Sequence, residues 1–385
     1  MRKAIGADYI IDFDMNIIKN GWLVFQRGKV KFLKYEPDGD FHEKVKLANT
    51  VIFPSFVNAH THLELSLMNF NPIKIKSFFD WLLWIISNRQ KLDKEEIKIG
   101  VTKGIELSKK WGISFFGDIS SFDISRHIIK NGIVFNEIIG NIFNTNARPP
   151  LSIHAVYSTS VETIKKAVQK SLKYGTIYQM HVGETAEEEK FVRGEPNLFE
   201  SLIYPTIGRK RFENIYAENI VAYLEKTGAL TNLLIAVHCT NLSRKELEIL
   251  MRKECGIVIC PRSNIFLKTG FPDIEFLIDY EKLGIGTDGL SSNTSLSMLS
   301  EIKAIYIKAE GKIDVKKLLK AATIGGAKVL NIEDTYKQSG LFTAIRTEKK
   351  ITNPLTALLM DDIKVTAFDL KDEKVLNSLK QLSNN

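Results

Sequence analysis

A chain of 385 residues can hold two or three average domains, or one large barrel with an appendage. With 44% apolar and 25% charged residues it has an ordinary globular composition, and its most apolar run, FFDWLLWII, is too short to span a bilayer and carries Asp80. The net charge of +8 raises the question of nucleic acid, but the basic residues are dispersed, the densest cluster is GRKR at 208–211, and no nucleic-acid motif accompanies it.

Taken in chain order, residues 1–50 read as short alternating stretches such as GWLVFQRGKVKFLKY with turn residues between them. The opening MRKAIGADYIIDFD has no uninterrupted apolar core, so a secretory signal is not expected. Eight short apolar runs follow: VIFPSFVNAH (51–60), GISFFGDI (112–119), GIVFNEII (132–139), LSIHAVY (151–157), TIYQMHV (176–182), LLIAVHC (233–239), GIVICP (256–261) and GIGTDG (284–289). They are too uniformly apolar for half-exposed strands, as expected of parallel strands buried on both faces. Helical segments separate them. In STSVETIKKAVQKSLKYG, Thr159 and Glu162 have capping-box spacing and Gly175 can end the helix.

This alternation predicts an α/β fold, a (β/α)8 barrel over residues 51–335. An open doubly wound sheet fits less well, because no G-x-G-x-x-G follows the first strand. The C-terminal segment ends in another strand-like piece, DIKVTAFDL, so residues 1–50 and 336–385 are expected to meet in a small β-domain.

Barrel enzymes carry their chemistry at the C-terminal ends of the strands. Five of the seven histidines fall there: His60, His62, His154, His181 and His238. Asp288 closes the eighth run, while His42 and His127 lie elsewhere and read as surface or loop residues. His60 and His62, at i and i+2 on an extended backbone, share a face and can fill two corners of one metal site.

The motifs NAHTH, HVGET, AVHCT and GTDGLSSN, in that order, resemble those of the amidohydrolase superfamily of metal-dependent hydrolases. The resemblance runs from about residue 50 to 330, where AATIGGAKVL looks like the helix after the last strand. SIHAVYSTS and CPRSNIFL are similar to segments of its nucleoside and nucleobase deaminase branch, with Val156 in place of the usual proline. The resemblance implies His60, His62, His181 and Asp288 as metal ligands, Glu184 as general acid and base, His238 as the group that stabilises the developing oxyanion, and His154 as a substrate contact. Three imidazoles and a carboxylate can hold a divalent ion and leave a position for water. Zinc is the expected ion, with iron or manganese as alternatives. The two-metal variants of the superfamily use a bridging lysine. Neither LSIHAVY nor TIYQMHV contains one, so one ion per chain is expected.

Two positions bear on the substrate. In thioadenosine and adenosylhomocysteine deaminases a glutamate about nine residues beyond a Trp-Leu pair holds the ribose; here the count from Trp81 reaches Gln90, next to Arg89. Glu64, two residues beyond His62, is expected on the ligand face as a substrate contact. These features and DGLSSNTSLSMLSEI look most like aminofutalosine deaminases of menaquinone biosynthesis, whose nucleoside substrate carries a benzoate. A basic protein suits such an anion. The alternatives are adenosylhomocysteine, methylthioadenosine or adenosine deaminases, and guanine or cytosine deaminases. A non-catalytic assembly protein of the same fold would have lost ligands that this chain keeps. A nucleic-acid module lacks any motif. The resemblance implies a homodimer. Three cysteines without C-x-x-C spacing fit a reducing cytoplasm, and neither a nucleic-acid nor a membrane partner is expected.

Overall fold

In a computed structural model of the protein, which describes residues 2–68, 70–212, 214–380 and 382, the chain builds two sheets. It begins with β1 (Arg2–Ile11), β2 (Ile17–Lys19), β3 (Trp22–Gln26), β4 (Lys29–Leu33) and β5 (Glu43–Pro54). Arg27 and Gly28, both at positive φ (51° and 76°), make the two-residue turn between β3 and β4. That is the twist a tight hairpin requires.

The eight predicted runs form β6 (Phe56–Thr61), β7 (Ile113–Ser120), β8 (Gly132–Ile138), β9 (Leu151–Ile153), β10 (Tyr178–Val182), β11 (Leu234–His238), β12 (Gly256–Ile259) and β13 (Leu283–Ile285). Each pairs in parallel with the next, in chain order. The ends of the series meet through a parallel bridge from Thr61 to Asp288, so the sheet closes into the expected (β/α)8 barrel.

The chain finishes with β14 (Leu341–Thr347) and β15 (Ile363–Asp369), giving the small sheet the order β15-β14-β5-β1-β3-β4. The two ends of the chain therefore do share a β-domain. Its core contains Ile5, Ile10, Leu23, Ile52, Phe342 and Phe368, and the final helix contributes Val375 and Leu379.

Two local readings need correction. The run at 51–60 is not one strand. Val51–Pro54 belong to β5 and pair with β14, whereas Phe56 onward pairs with β7. Ser55 makes the join, its Oγ bonding Gly112 O at 2.9 Å and Ser114 Oγ at 2.6 Å. Both halves are buried on both faces, so periodicity could not separate them. The helix Val161–Tyr174 is capped by Ser160, whose side chain accepts from Thr163 N, and not by Thr159. Gly175 ends it at φ 61° as expected.

The helical segment at 321–329 packs over the barrel seam, and two glycines allow it. A Cβ on Gly325 would lie 2.4 Å from Leu283 O, and one on Gly326 would lie 3.0 Å from Val57 Cβ. Gly325→Ala should therefore force this segment off β13, at a cost of about 1–3 kcal/mol typical of overpacking. A urea midpoint equal to that of the unmodified protein would show that the contact is not tight.

Candidate active site

The polar side chains gather where the strands end. His60 and His62 flank Thr61 at the close of β6 and point into the barrel mouth, while Thr61 points away. His181 stands in β10 opposite Val237 of β11, so register alone would turn the next residue, His238, away from the mouth. A left-handed backbone (φ 73°) re-aims it. Asp288 pairs with the outward Thr61 and is likewise left-handed (φ 60°). Such conformations in residues with a Cβ are strained and cluster at functional sites.

The result is one compact cluster. Ring centroids of His60 lie 5.0 Å from His62, 5.1 Å from His181 and 6.0 Å from His238. Ligand-capable atoms of His60, His181 and His238, and of His60, His62 and Asp288, lie within 4.8 Å of one another in each triad. The Nε2 atoms of His60 and His62 are 3.5 and 3.6 Å from Asp288 Oδ1.

The surrounding hydrogen bonds set which nitrogen faces inward. His60 Nδ1 donates to Gln179 Oε1 at 2.7 Å, and His181 Nδ1 donates to His154 O at 2.8 Å. Both therefore turn an Nε2 lone pair toward the mouth, and the Nε2 of His60 is buried with no hydrogen-bond partner. Asp288 Oδ2 accepts from Ser263 and Ser292 at 2.7 and 2.6 Å, which leaves Oδ1 facing the imidazoles. This set fits a divalent ion. His238 differs. Asn264 Nδ2 approaches its Nδ1 at 3.1 Å as a donor, so His238 turns an N–H toward the mouth.

Burial dominates the electrostatics. Desolvation, with His60 alongside, lowers His62 to about 3, and desolvation lowers His238 to about 4. Burial and the neighbouring imidazoles of His154 and His60 hold His181 well below its ordinary range. These rings are neutral at neutral pH, as ligation requires. Burial opposes ionisation of Asp288, but His60, His62 and His238 hold its carboxyl well below the usual range. Burial, then Asp288 and Glu188, push Glu184 well above it. Glu184 lies beside the cluster, its Oε1 3.7 Å from His238 Nε2.

The cluster opens into a cavity of about 570 Å3, a size suited to a small organic ligand. Trp81, Leu82, Ile85 and Ile86 give it an apolar wall, and Trp81 Nε1 is fixed to Ser291 O at 2.7 Å. His154 lines it, anchored through Nδ1 to Ser158 Oγ at 2.6 Å, and Gln90 lines it too. Of the histidines expected outside the site, His42 accepts from Arg2 N in the small domain, and His127 sits in a short turn after β7.

Glu64 does not stand where alternation puts it. After His62 the chain leaves the extended conformation for a 3-10 turn (Leu63–Leu65). The Glu64 carboxylate is buried, accepting from Ser121 N at 2.9 Å, from Ser121 Oγ and from Arg89 Nη2 at 3.3 Å. It does not line the cavity. Glu137, near the end of β8, does line it. Burial opposes its ionisation, but Arg89, 2.6 Å away, with His154 and His62, holds it at about 2. The sequence reading missed Glu137, although an acid ending a buried strand follows the same rule that found the histidines.

Residues 142–336 match the amidohydrolase family. The chain belongs to that family. It is accordingly an enzyme of the metal-dependent hydrolase class implied by its motifs. This amidohydrolase is 25% identical over 371 residues to the 5-methylthioadenosine/S-adenosylhomocysteine deaminase of Halothermothrix orenii, covering 86% of this chain and 80% of that one. Its fold is that of the Helicobacter pylori aminofutalosine deaminase (TM-score 0.78, 22% identity, 96% and 98% of the two chains covered). It is also that of a zinc-bound adenosine deaminase from Xanthomonas campestris (TM-score 0.72, 21% identity, 93% and 88% covered). Among the described residues no helix is long and apolar enough to cross a membrane.

One further acid supports the site. Glu188 accepts from the backbone N–H groups of Gly183 and Glu184, each at 3.0 Å, and so fixes the turn that presents Glu184. Burial raises its carboxyl from 4.5 to about 7. A raised folded value means that the ionised form costs stability: the contribution is complete below about 4.5 and is lost as pH rises through about 7. Glu188→Gln should flatten the fall in stability between about pH 5 and pH 8 by up to ~3 kcal/mol. Parallel stability curves for the two proteins would contradict this role.

Proposed function

We propose that this amidohydrolase deaminates adenosine-type nucleosides hydrolytically, and that its substrate is 6-amino-6-deoxyfutalosine, converted to futalosine for menaquinone synthesis. The observation that carries the deaminase reading is the division of labour among the buried groups. Inward lone pairs on His60 and His181, with His62 and Asp288 Oδ1, stand beside a carboxyl that is outside both ligand triads, Glu184, and an inward N–H, that of His238.

His60, His62, His181 and Asp288 would hold one divalent ion, with zinc the expected choice. When bound, the ion supplies a nucleophile at neutral pH by lowering the pKa of water. Glu184, whose carboxyl burial pushes well above its usual range and so makes a better proton acceptor, would in its ionised form take a proton from the attacking water and hand it to the departing amino nitrogen, so that ammonia leaves. His238 donates its Nε2–H to the oxygen that develops charge at the attacked purine carbon. His154, held by Ser158, offers its other nitrogen to the substrate. Glu64, bonded to Arg89 and Ser121, acts on the substrate only through Arg89.

The benzoate-bearing substrate is supported by the cavity size and by its arginines, Arg89 and Arg209. A methylthioadenosine reading draws on the apolar wall of Trp81, Leu82, Ile85 and Ile86, which suits a small thioether.

Two sets of measurements test this reading. Elemental analysis should find about one divalent ion per chain, lost in His60→Ala and retained in Glu184→Gln, while the latter loses ~10²-fold or more in rate. Two tightly held ions, or metal loss in Glu184→Gln, would overturn the assignment. In an ammonia-release panel, aminofutalosine should give the highest kcat/KM, above methylthioadenosine, adenosylhomocysteine and adenosine. A higher value for methylthioadenosine would move the enzyme to the second reading.

A further inference from the structure

The cavity contains two arginines whose electrostatic situations differ. Arg89 is neutralised, bonded to Glu137 at 2.6 Å and to Glu64 at 3.3 Å. Arg209 has no carboxylate within 4.0 Å among the described residues, yet it is half-buried and lines the same cavity. The other arginine of the basic cluster, Arg211, is paired with Glu200 at 2.6 Å. The two arginines of this segment therefore differ, the exposed one paired and the cavity-lining one without a carboxylate among the described residues.

The position of Arg209 is built rather than incidental. Its backbone N–H donates to Tyr204 O at 2.8 Å, and the Tyr204 hydroxyl is bonded in turn to Tyr157 O. Its guanidinium donates from Nη1 to Ser158 O at 3.2 Å and lies against the rings of Tyr204 and Phe212, 6.0 and 5.2 Å from their centroids. Ser158 also bonds His154, whose ring is 5.0 Å from that of His181. Arg209 is thus linked to the histidine cluster through Ser158 and His154.

A guanidinium partly removed from water without a counter-ion is costly, and burial lowers its pKa accordingly. An anionic ligand group reverses that cost, because a charge-assisted bond forms to a planar fork already held in place.

We propose that Arg209 is a specificity-determining residue that binds an anionic group, a carboxylate or a phosphate, on the part of the substrate remote from the reacting carbon. This rests on the nucleoside deaminase reading. It relocates selection for an acidic extension from Glu64, whose negative charge is already committed to Arg89 and Ser121, to a cation that faces the cavity.

The test compares the unmodified metal-loaded enzyme with Arg209→Met, which keeps a stem to pack on Tyr204 and Phe212, and with Arg209→Lys, which keeps charge without the fork. The probes are aminofutalosine (carboxylate), adenosine 5′-monophosphate (phosphate) and methylthioadenosine (neutral). Arg209→Met should lower the ratio of kcat/KM for aminofutalosine to that for methylthioadenosine by about tenfold or more, chiefly through KM, the scale of one lost charge-assisted bond. Arg209→Lys should fall between the two, and added salt should erode the preference of the unmodified enzyme. A loss confined to the monophosphate would support the anion site and assign it to phosphate. An unchanged ratio for both anions in Arg209→Met, with methylthioadenosine still turned over, would overturn the role of Arg209 alone. If Arg209→Met does not fold, an unchanged ratio in Arg209→Lys together with salt-independent preference overturns it equally. Failure of the unmodified enzyme to deaminate any of the three would instead refute the deaminase reading, and this inference with it.

Discussion

Everything at the mouth of this barrel depends on the seam where its first strand meets its last. Thr61 bridges Asp288, with His62 N donating to Asp288 O at 2.7 Å and Asp288 N donating to His60 O at 3.2 Å. Two backbone bonds therefore set the spacing between residues more than two hundred positions apart. The seam is tight because small residues allow it: a Cβ on Gly286 would lie 2.7 Å from His60 O, and one on Gly284 would meet Ala59 Cβ at 2.9 Å. A barrel that failed to close would lose the shared approach of Asp288 Oδ1 to both imidazoles.

The second constraint is the desolvation of so many ionisable groups in one place. Isolated buried charges are expensive, so the structure either neutralises them or saturates them with hydrogen bonds. His62, His181 and His238 remain neutral. Asp288 is saturated on one oxygen by two serines, and Arg89 is held by Glu64 and Glu137, both of which also accept from Ser121. Glu184 and Arg209 stand outside this pattern, and both are among the groups assigned work on a substrate. Partner-poor polar groups in a satisfied surround are where ligand chemistry is to be sought.

The small β-domain is tied to this machinery through its junction with the barrel. β5 runs into β6 across Ser55, whose carbonyl accepts from Tyr336 Oη at 2.7 Å while its hydroxyl bonds Gly112 O and contacts Thr343 Oγ1 at 3.2 Å. The strand leading to His60 and His62 is thereby anchored at its start by side chains from the C-terminal part of the chain and by the backbone ahead of β7.

The sequence by itself determined the strand order, the barrel and the identity of the metal-site candidates. Parallel strands buried on both faces must be continuous apolar runs, and polar residues at their ends stand out against them, as His181 and His238 do. It could not separate β5 from β6, because two buried strands in succession look like one. Nor could it follow Glu64, since period-two alternation ends where the backbone coils after His62, or foresee which acid Arg89 would meet. The pairing of Arg89 with Glu137, and the placing of Arg209 on Ser158 with no carboxylate beside it among the described residues, arise from contacts between segments distant in the chain. Only tertiary structure decides which charges are compensated, because compensation depends on distance and burial, and neither is carried by local sequence.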